Sequence, residues 1–214
     1  MTGRDTVIAA GLRAFSRRGY HSASIREIAR ESGNSMSVLY HYFSSKDELF
    51  LEIVRISADQ YFAVCENRLA SAGPHASDQL RALVEATIGH RLERRAEANL
   101  LAAEIHVLPD ELQQSVRTGW RQASRIWDDV IAHGLETGEF TTPFPIEARR
   151  GIVAMCDSVR DWSDIGTRVD QHDVVQRLCE FSLAIVGAHP GSPVTVGGTV
   201  LAGESEKTLT ESSR

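Results

Sequence analysis

Apolar residues recur along this chain at intervals of three and four far more often than at intervals of two, the period of helices that lay one face on a core. Ile8, Leu12 and Phe15 share one side of a predicted first helix over 4–18, and Gly19 is placed to stop it. Ser24 followed by Glu27 has the spacing of a capping box. Ile25, Ile28 and Ala29 then form the buried side of a short second helix ending near Gly33. Asn34 or Ser35 is placed to cap a third helix over 35–43, with Leu39 and Phe43 inward at i and i+4 and Met36, Ser37, Tyr40 and His41 outward. Ser45 and Glu48 repeat the capping-box spacing and open a long fourth helix carrying Leu49, Ile53 and Ile56 on one side.

Gly, Pro and small polar residues interrupt the pattern over 72–77, and a fifth helix is predicted over 78–95. Pro109 is suited to open another helix that lasts to Glu136 and is closed by Gly138. Beyond a loop at Pro143 and Pro145, two last helices are predicted. One covers 146–165 with Ile152, Met155 and Val159 on its apolar side, the other 169–188 with Val174, Leu178, Phe181 and Ile185. The expected fold is all-α with about nine helices: a three-helix unit over 1–48, a larger helical unit over 49–188 and a tail over 189–214. That tail, rich in Gly, Ser, Thr and Glu and without an aromatic residue, lacks the apolar surface to offset chain entropy and is expected to be disordered.

Composition narrows the class. With 214 residues, 42% of them hydrophobic and 24% charged, the chain is long enough to bury a sizeable core. No apolar run approaches the roughly 18 residues of a membrane span, and the first twenty residues hold no leader-like apolar block, so no membrane partner and a cytoplasmic location are expected. Cys65, Cys156 and Cys179 are odd in number and far apart, which fits reduced, buried thiols better than a disulfide framework or a zinc site. A net charge of −6 disfavours nonspecific nucleic-acid binding by the whole molecule, but the charge is uneven. Residues 1–50 carry seven Lys/Arg against five Asp/Glu, leaving 16 of the 23 basic and 24 of the 29 acidic residues to the rest. A DNA partner is expected at the N-terminal end.

Two short helices joined at Gly33, the second capped and faced by small polar and aromatic side chains, form a helix-turn-helix pattern. A major groove about 12 Å wide admits one such helix. The segment reads IREIARESGNSMSVLYHYFSSKDEL, and over about residues 4–55 the chain resembles the DNA-binding signature of the TetR family of transcriptional regulators. Position by position, the resemblance assigns base contacts to Arg26, Met36, Ser37 and Tyr40, and phosphate contacts to Ser24, Ser35, His41, Tyr42 and Lys46. Met36 departs from the Lys or other polar residue that many relatives place there. Base reading then leans on apolar contact with thymine methyls and on Arg26 with guanine. On the residues alone, Tyr20 and Tyr42 fit packing and phosphate contact equally. Lys46 is either a solvated first-turn lysine or a phosphate partner, a cation there being unfavourable to the helix dipole.

The likeness also implies an operator-bound homodimer that pairs through the last two helices, whose apolar positions equally fit an internal core. It implies a small-molecule effector among the middle helices. Tyr61, Phe62, Trp120, Trp127 and Trp162 are candidate apolar walls, and His90, Arg94 and His106, with Arg91 and Arg95, candidate anchors. Ordinary core and a solvated charged face are the plainer alternatives. The run WRQASRIWDDVIAHGLETGEF and residues 148–164 are similar to actinobacterial relatives that control fatty-acid or steroid breakdown and respond to acyl-CoA thioesters. The expected function is a ligand-relieved repressor on a palindromic operator. Two alternatives stay open: an interaction adaptor without DNA affinity, invited by Met36, and a drug-efflux regulator sensing a xenobiotic. No enzyme is expected, because no Gly-x-Ser-x-Gly turn, His-Glu-x-x-His helix or phosphate-cradling Gly loop appears. Asp129 and His133 at i and i+4 supply only two ligands, so neither metal nor cofactor is expected.

Overall fold

The computed structural model describes residues 2–106, 108–162 and 169–188. The tail expected over 189–214 therefore lies outside the described residues, as does the end of the helix expected over 146–165. Among the described residues the chain is all-α. Its helices are α1 (Gly3–Ser22), α2 (Ile25–Glu31), α3 (Met36–Tyr42), α4 (Lys46–Ala70), α5 (Ala76–Glu93), α6 (Arg95–Glu104), α7 (Asp110–Glu136), α8 (Pro145–Ser158) and α9 (Gln171–Ile185), with a 3₁₀ turn (Val159–Asp161) after α8. Among the described residues no helix is long and apolar enough to cross a membrane.

Helix starts follow the predicted caps, with two diversions. Ser24 accepts the Glu27 amide at 3.3 Å, but the Glu27 carboxylate turns away from the box to pair with Arg18 at 3.2 Å and Arg17 at 3.6 Å, tying α2 to α1. Ser45 accepts the Glu48 amide at 3.1 Å, while Glu48 reaches one residue further back, to the Ser44 amide and hydroxyl, each at 2.7 Å. α1 runs four residues past its predicted end at Arg18. Gly19 does interrupt it, at φ 75° and ψ 165°, a conformation open to glycine at no steric cost, and the chain then completes one further turn. α6 was not foreseen, and α8 ends at Ser158, well short of the expected 165.

Two apolar cores result. The first joins Phe15, Ile28, Leu39, Phe43 and Phe50 of the N-terminal helices to Leu100 of α6, Leu108 in the turn after it, and Leu112 and Val116 of α7. The second gathers Tyr61, Leu83, Trp127, Ile131, Ile152 and Leu178. Fully burying a side chain of this size contributes about 1.5–3 kcal/mol. α4 feeds both cores, with Leu49 to Val54 in the first and Tyr61 and Cys65 in the second. The boundary expected at residues 48/49 thus falls inside a shared helix, in the first turn of α4. The second unit is closed by Glu139, which accepts the Ala76 amide at 3.1 Å and the Ser77 amide and hydroxyl at 3.0 Å, so capping α5 from across the fold. All three cysteines are buried and free, and burial pushes Cys65 up to about 11 and Cys156 and Cys179 up to about 12. Such thiols stay protonated and unreactive.

Candidate nucleic-acid interface and internal cavity

α3 stands on Leu39 and Phe43, both buried, and presents Ser37, Val38, Tyr40 and His41 to the outside, Tyr40 with 51% of its surface exposed. Met36 corrects the sequence reading. It lies three residues before Leu39 and seven before Phe43, on the same side of the helix, and is partly buried against the first core. Val38 takes the outward apolar position in its place. Ser35 accepts the Val38 amide at 3.3 Å. Like Ser24, it keeps its own hydroxyl proton to donate, so capping and phosphate contact are compatible in both. Tyr42 is partly buried and crowds α1, where a Cβ added to Gly3 would stand 3.1 Å from its hydroxyl. Its ring also meets His41 edge-on at 5.2 Å.

Charge on this face comes from α2. Arg17 and Arg18 are held by Glu27 and Glu31, whereas Arg26 and Arg30 are exposed, and no ion pair among the described residues engages either. Arg30 went unnoticed in the sequence, although its i+4 spacing from Arg26 puts both on one side of α2. Lys46 is a second correction. Its ammonium donates to the carbonyls of Tyr20 at 2.9 Å, His21 at 3.2 Å and Ala23 at 3.4 Å, and sits 4.5 Å from the Tyr20 ring centroid. An ammonium carries three protons, so all of them serve the unsatisfied end of α1. The solvated-lysine reading does not describe it. Tyr20 is core, with its hydroxyl bonded to Asp47.

A cavity of about 200 Å³ lies where α5 gives way to α6, walled by Ser57 of α4, His90 and Arg94 of the α5 end, Ala98 and Ala102 of α6, and Trp120 of α7. A second space of about 200 Å³ reaches Tyr61, Ser124 and Trp127, and shares Arg91, Trp120 and Asp157 with the first. Its floor is a chain of hydrogen bonds. Trp127 Nε1 donates to the Tyr61 hydroxyl at 3.0 Å, which lies 2.9 Å from Thr87 Oγ1, which donates to the Leu83 carbonyl at 2.7 Å. Arg91 meets Asp157 at 2.6 Å and lies 4.9 Å from the Tyr61 ring centroid and 5.6 Å from that of Trp120. His90 is 6% exposed, with Nδ1 3.3 Å from Arg91 Nη1. Burial, aided by the charges of Arg91 and Arg94, lowers its pKa to about 4.

Of the expected cavity residues, Tyr61, His90, Arg94, Trp120 and Trp127 come together and Phe62, His106 and Trp162 do not. Phe62 is a step round α4 from the side that carries Ser57 and Tyr61. His106 lies beyond the end of α6, exposed, with Ile105 inward in its stead. Trp162 follows the 3₁₀ turn, 39% exposed, its carbonyl 3.4 Å from Arg95 Nη2. Asp157 and the small residues of α6 were missed, because neither has a local signal pointing to this space. Among the described residues no three His, Cys, Asp or Glu side chains are grouped to hold a metal ion, and His133 instead contacts the Pro74 carbonyl at 3.0 Å.

α6 has a second side. Glu104 Oε2 accepts the Tyr20 amide at 3.0 Å, and a Cβ added to Gly19 would stand 2.8 Å from its Oε1. The last two helices also divide their apolar residues. Val174 and Leu178 are buried, while Ile146, Phe181 and Ile185 are 52%, 56% and 40% exposed.

Residues 7–53 match the family described as bacterial regulatory proteins, tetR family, and residues 73–186 match the tetracyclin repressor-like C-terminal domain. The chain is 27% identical to the HTH-type transcriptional activator FasR of Mycolicibacterium smegmatis over 186 residues, 84% of this chain and 80% of that one. It is 26% identical to the HTH-type transcriptional repressor KstR2 of the same organism, over 67% and 70% of the two chains. The crystal structure of the transcriptional regulator FadR from Bacillus subtilis in complex with stearoyl-CoA superposes with a TM-score of 0.74 at 19% identity, covering 86% of this chain and 99% of that one, a likeness of fold.

Proposed function

This chain belongs to the tetR family of bacterial regulatory proteins and is a DNA-binding transcriptional regulator; from that premise we propose that it is a homodimeric repressor released from a palindromic operator when an acyl-CoA thioester enters the cavity beside α6. Arg26, Ser37 and Tyr40 read base edges, joined by Val38, whose apolar side chain suits a thymine methyl. Ser24, Ser35, His41 and Tyr42 hold phosphates, and Arg30 adds a cation. Met36 and Lys46 keep α3 and α4 in position. The dimer forms through α8 and α9, which expose Ile146, Phe181 and Ile185 and leave open space at Gly151. Such an apolar patch suits a self-complementary two-fold interface.

The thioester reading draws on the stearoyl-CoA named for the FadR structure and on chemistry in this chain. Trp120, Ile105 and the α6 alanines suit an acyl chain. Arg117, Arg121 and Arg125 form an exposed basic stripe along α7 beside Trp120 and Ser124, suited to phosphates. Release from DNA rests on one observation: α6 is at once a wall of the cavity and, through Glu104, a clasp on the end of α1. A ligand that fills this space of about 200 Å³ abuts α6, and it favours the released state only by binding it more tightly.

Fluorescence anisotropy on labelled DNA from upstream of the gene tests the proposal. Expected are one discrete complex, a steep loss of affinity with salt, and release by octanoyl- or palmitoyl-CoA. A fragment that stays bound under every CoA thioester removes the effector reading, and failure to retain any genomic fragment removes the repressor reading.

A further inference from the structure

We propose that His90 is the hydrogen-bond donor that selects a neutral carbonyl oxygen on the effector, as in a thioester or ketone, over a free carboxylate. The inference rests on the cavity beside α6 being the effector site and names the group that site reads.

The tautomer follows from its neighbour. A guanidinium has protons to give and no lone pair to offer, so Nδ1 of His90, 3.3 Å from Arg91 Nη1, is the acceptor. The ring proton of a neutral imidazole then sits on Nε2. The ring stays neutral because it is buried and flanked by Arg91 and Arg94, which together hold its pKa near 4. Nε2 is itself buried, on a residue lining the cavity, and has no hydrogen-bond partner among the described residues. A buried N–H left unmatched is costly, and an acceptor inside the cavity removes that cost.

The charges around it decide which acceptor. Arg91 is matched by Asp157 at 2.6 Å and Arg94 by Glu97 at 2.7 Å. Arg160 lies 3.7 Å from Asp161 and donates to the Asp157 carbonyl at 3.0 Å. Each cation of this wall already has its acid. A carboxylate entering here loses its water and must prise an arginine from its partner, whereas a carbonyl asks only for one N–H. Trp120 and Ile105 beside it accept the apolar remainder of such a molecule.

Three probes separate the possibilities in the full-length protein: octanoyl-CoA, 2-octanone and octanoate, followed by tryptophan fluorescence and by ¹⁵N histidine resonances. Before any ligand, the His90 pattern should be that of a neutral Nε2–H ring between pH 6 and 8. The thioester and the ketone should bind about tenfold more tightly than octanoate and shift the Nε2 resonance. His90→Leu should erase that preference, and His90→Gln, which brings an amide N–H near the former Nε2, should restore most of it. An Nδ1–H tautomer, a preference for octanoate, or equal binding by wild type and His90→Leu overturns the inference and leaves the effector site standing. Silence with every probe overturns the two together.

Discussion

Replacing Tyr61 by Phe removes a single oxygen from the cavity floor and leaves the ring that Arg91 faces at 4.9 Å. That oxygen is the acceptor for Trp127 Nε1–H at 3.0 Å, and Trp127 is only 1% exposed. The indole proton is left with no partner, a loss of about 1–3 kcal/mol. Thr87 is hurt less, since it still donates to the Leu83 carbonyl at 2.7 Å. In a chain of this size each kcal/mol moves the melting temperature by about 2–4 °C, so the variant should melt about 2–12 °C lower. Circular dichroism melts at matched protein concentration measure this without a shift from dimer dissociation. Thr87→Val probes the same chain from its other end, and the double variant should lose less than the two singles added, because both break one network. A Tyr61→Phe protein melting within a degree of wild type, or strictly additive losses, refutes a connected buried network.

Three further outcomes follow from other parts of the molecule. Burial alone would raise the Glu139 pKa, but its bonds from Ser77 and Ala76 outweigh burial and hold it below the ordinary 4.5. Its contribution is therefore complete above about 4.5 and disappears as pH falls through the lowered folded value. Glu139→Gln should be less stable than wild type in urea melts at pH 7, with the gap closing toward pH 3; a gap constant with pH contradicts the charged cap. Arg26→Ala should cost about 1–3 kcal/mol at one operator position, while Arg30→Ala should weaken all sequences alike and reduce the salt slope by about one; interchange of these two behaviours in a binding-site selection reverses the assignment. Phe181→Asp should sediment as a monomer at micromolar concentration and lose operator affinity, and an intact dimer would move the interface elsewhere.

How much was legible varied with how local the signal was. The caps at Ser24, Ser35 and Ser45 and the apolar spacing of Leu39 and Phe43 are short-range features, and the helices they predict are present. Met36 was misjudged because a first-turn residue was assigned by its neighbours Ser37 and Tyr40 rather than by its spacing from Leu39 and Phe43. The carbonyl partners of Lys46 were invisible in the sequence because they lie 23 to 26 residues earlier. The end of α5 near Arg94 was read within two residues, but α6 escaped notice because no Ser, Thr, Asp, Asn or Pro stands just before Arg95 to announce a new helix. The Arg91–Asp157 pair spans 66 residues, a distance at which single-sequence spacing carries nothing.

α6 touches both the cavity and the end of α1. Ala102 and Glu104 are two residues apart, about 200° round a helix of 3.6 residues per turn, so one faces the cavity while the other faces α1. Leu100 anchors α6 itself in the first core, and Leu108, just beyond the helix, anchors the chain that continues from it, so α6 joins the cavity wall to the core that holds α1. The Glu104–Tyr20 bond is 3.0 Å long, and a shift of about 1 Å takes it past hydrogen-bonding range. α1 in turn carries Arg17 and Arg18, whose pairs with Glu27 and Glu31 hold α2 and its Arg26 in place. Such a connection supports a coupling of about 1–3 kcal/mol, or roughly 5–150-fold in affinity, and the coupling is reciprocal. A helix seated on an operator must hold α1, hence Glu104, hence the narrow form of the cavity, so DNA should weaken ligand binding by the same factor by which ligand weakens DNA binding.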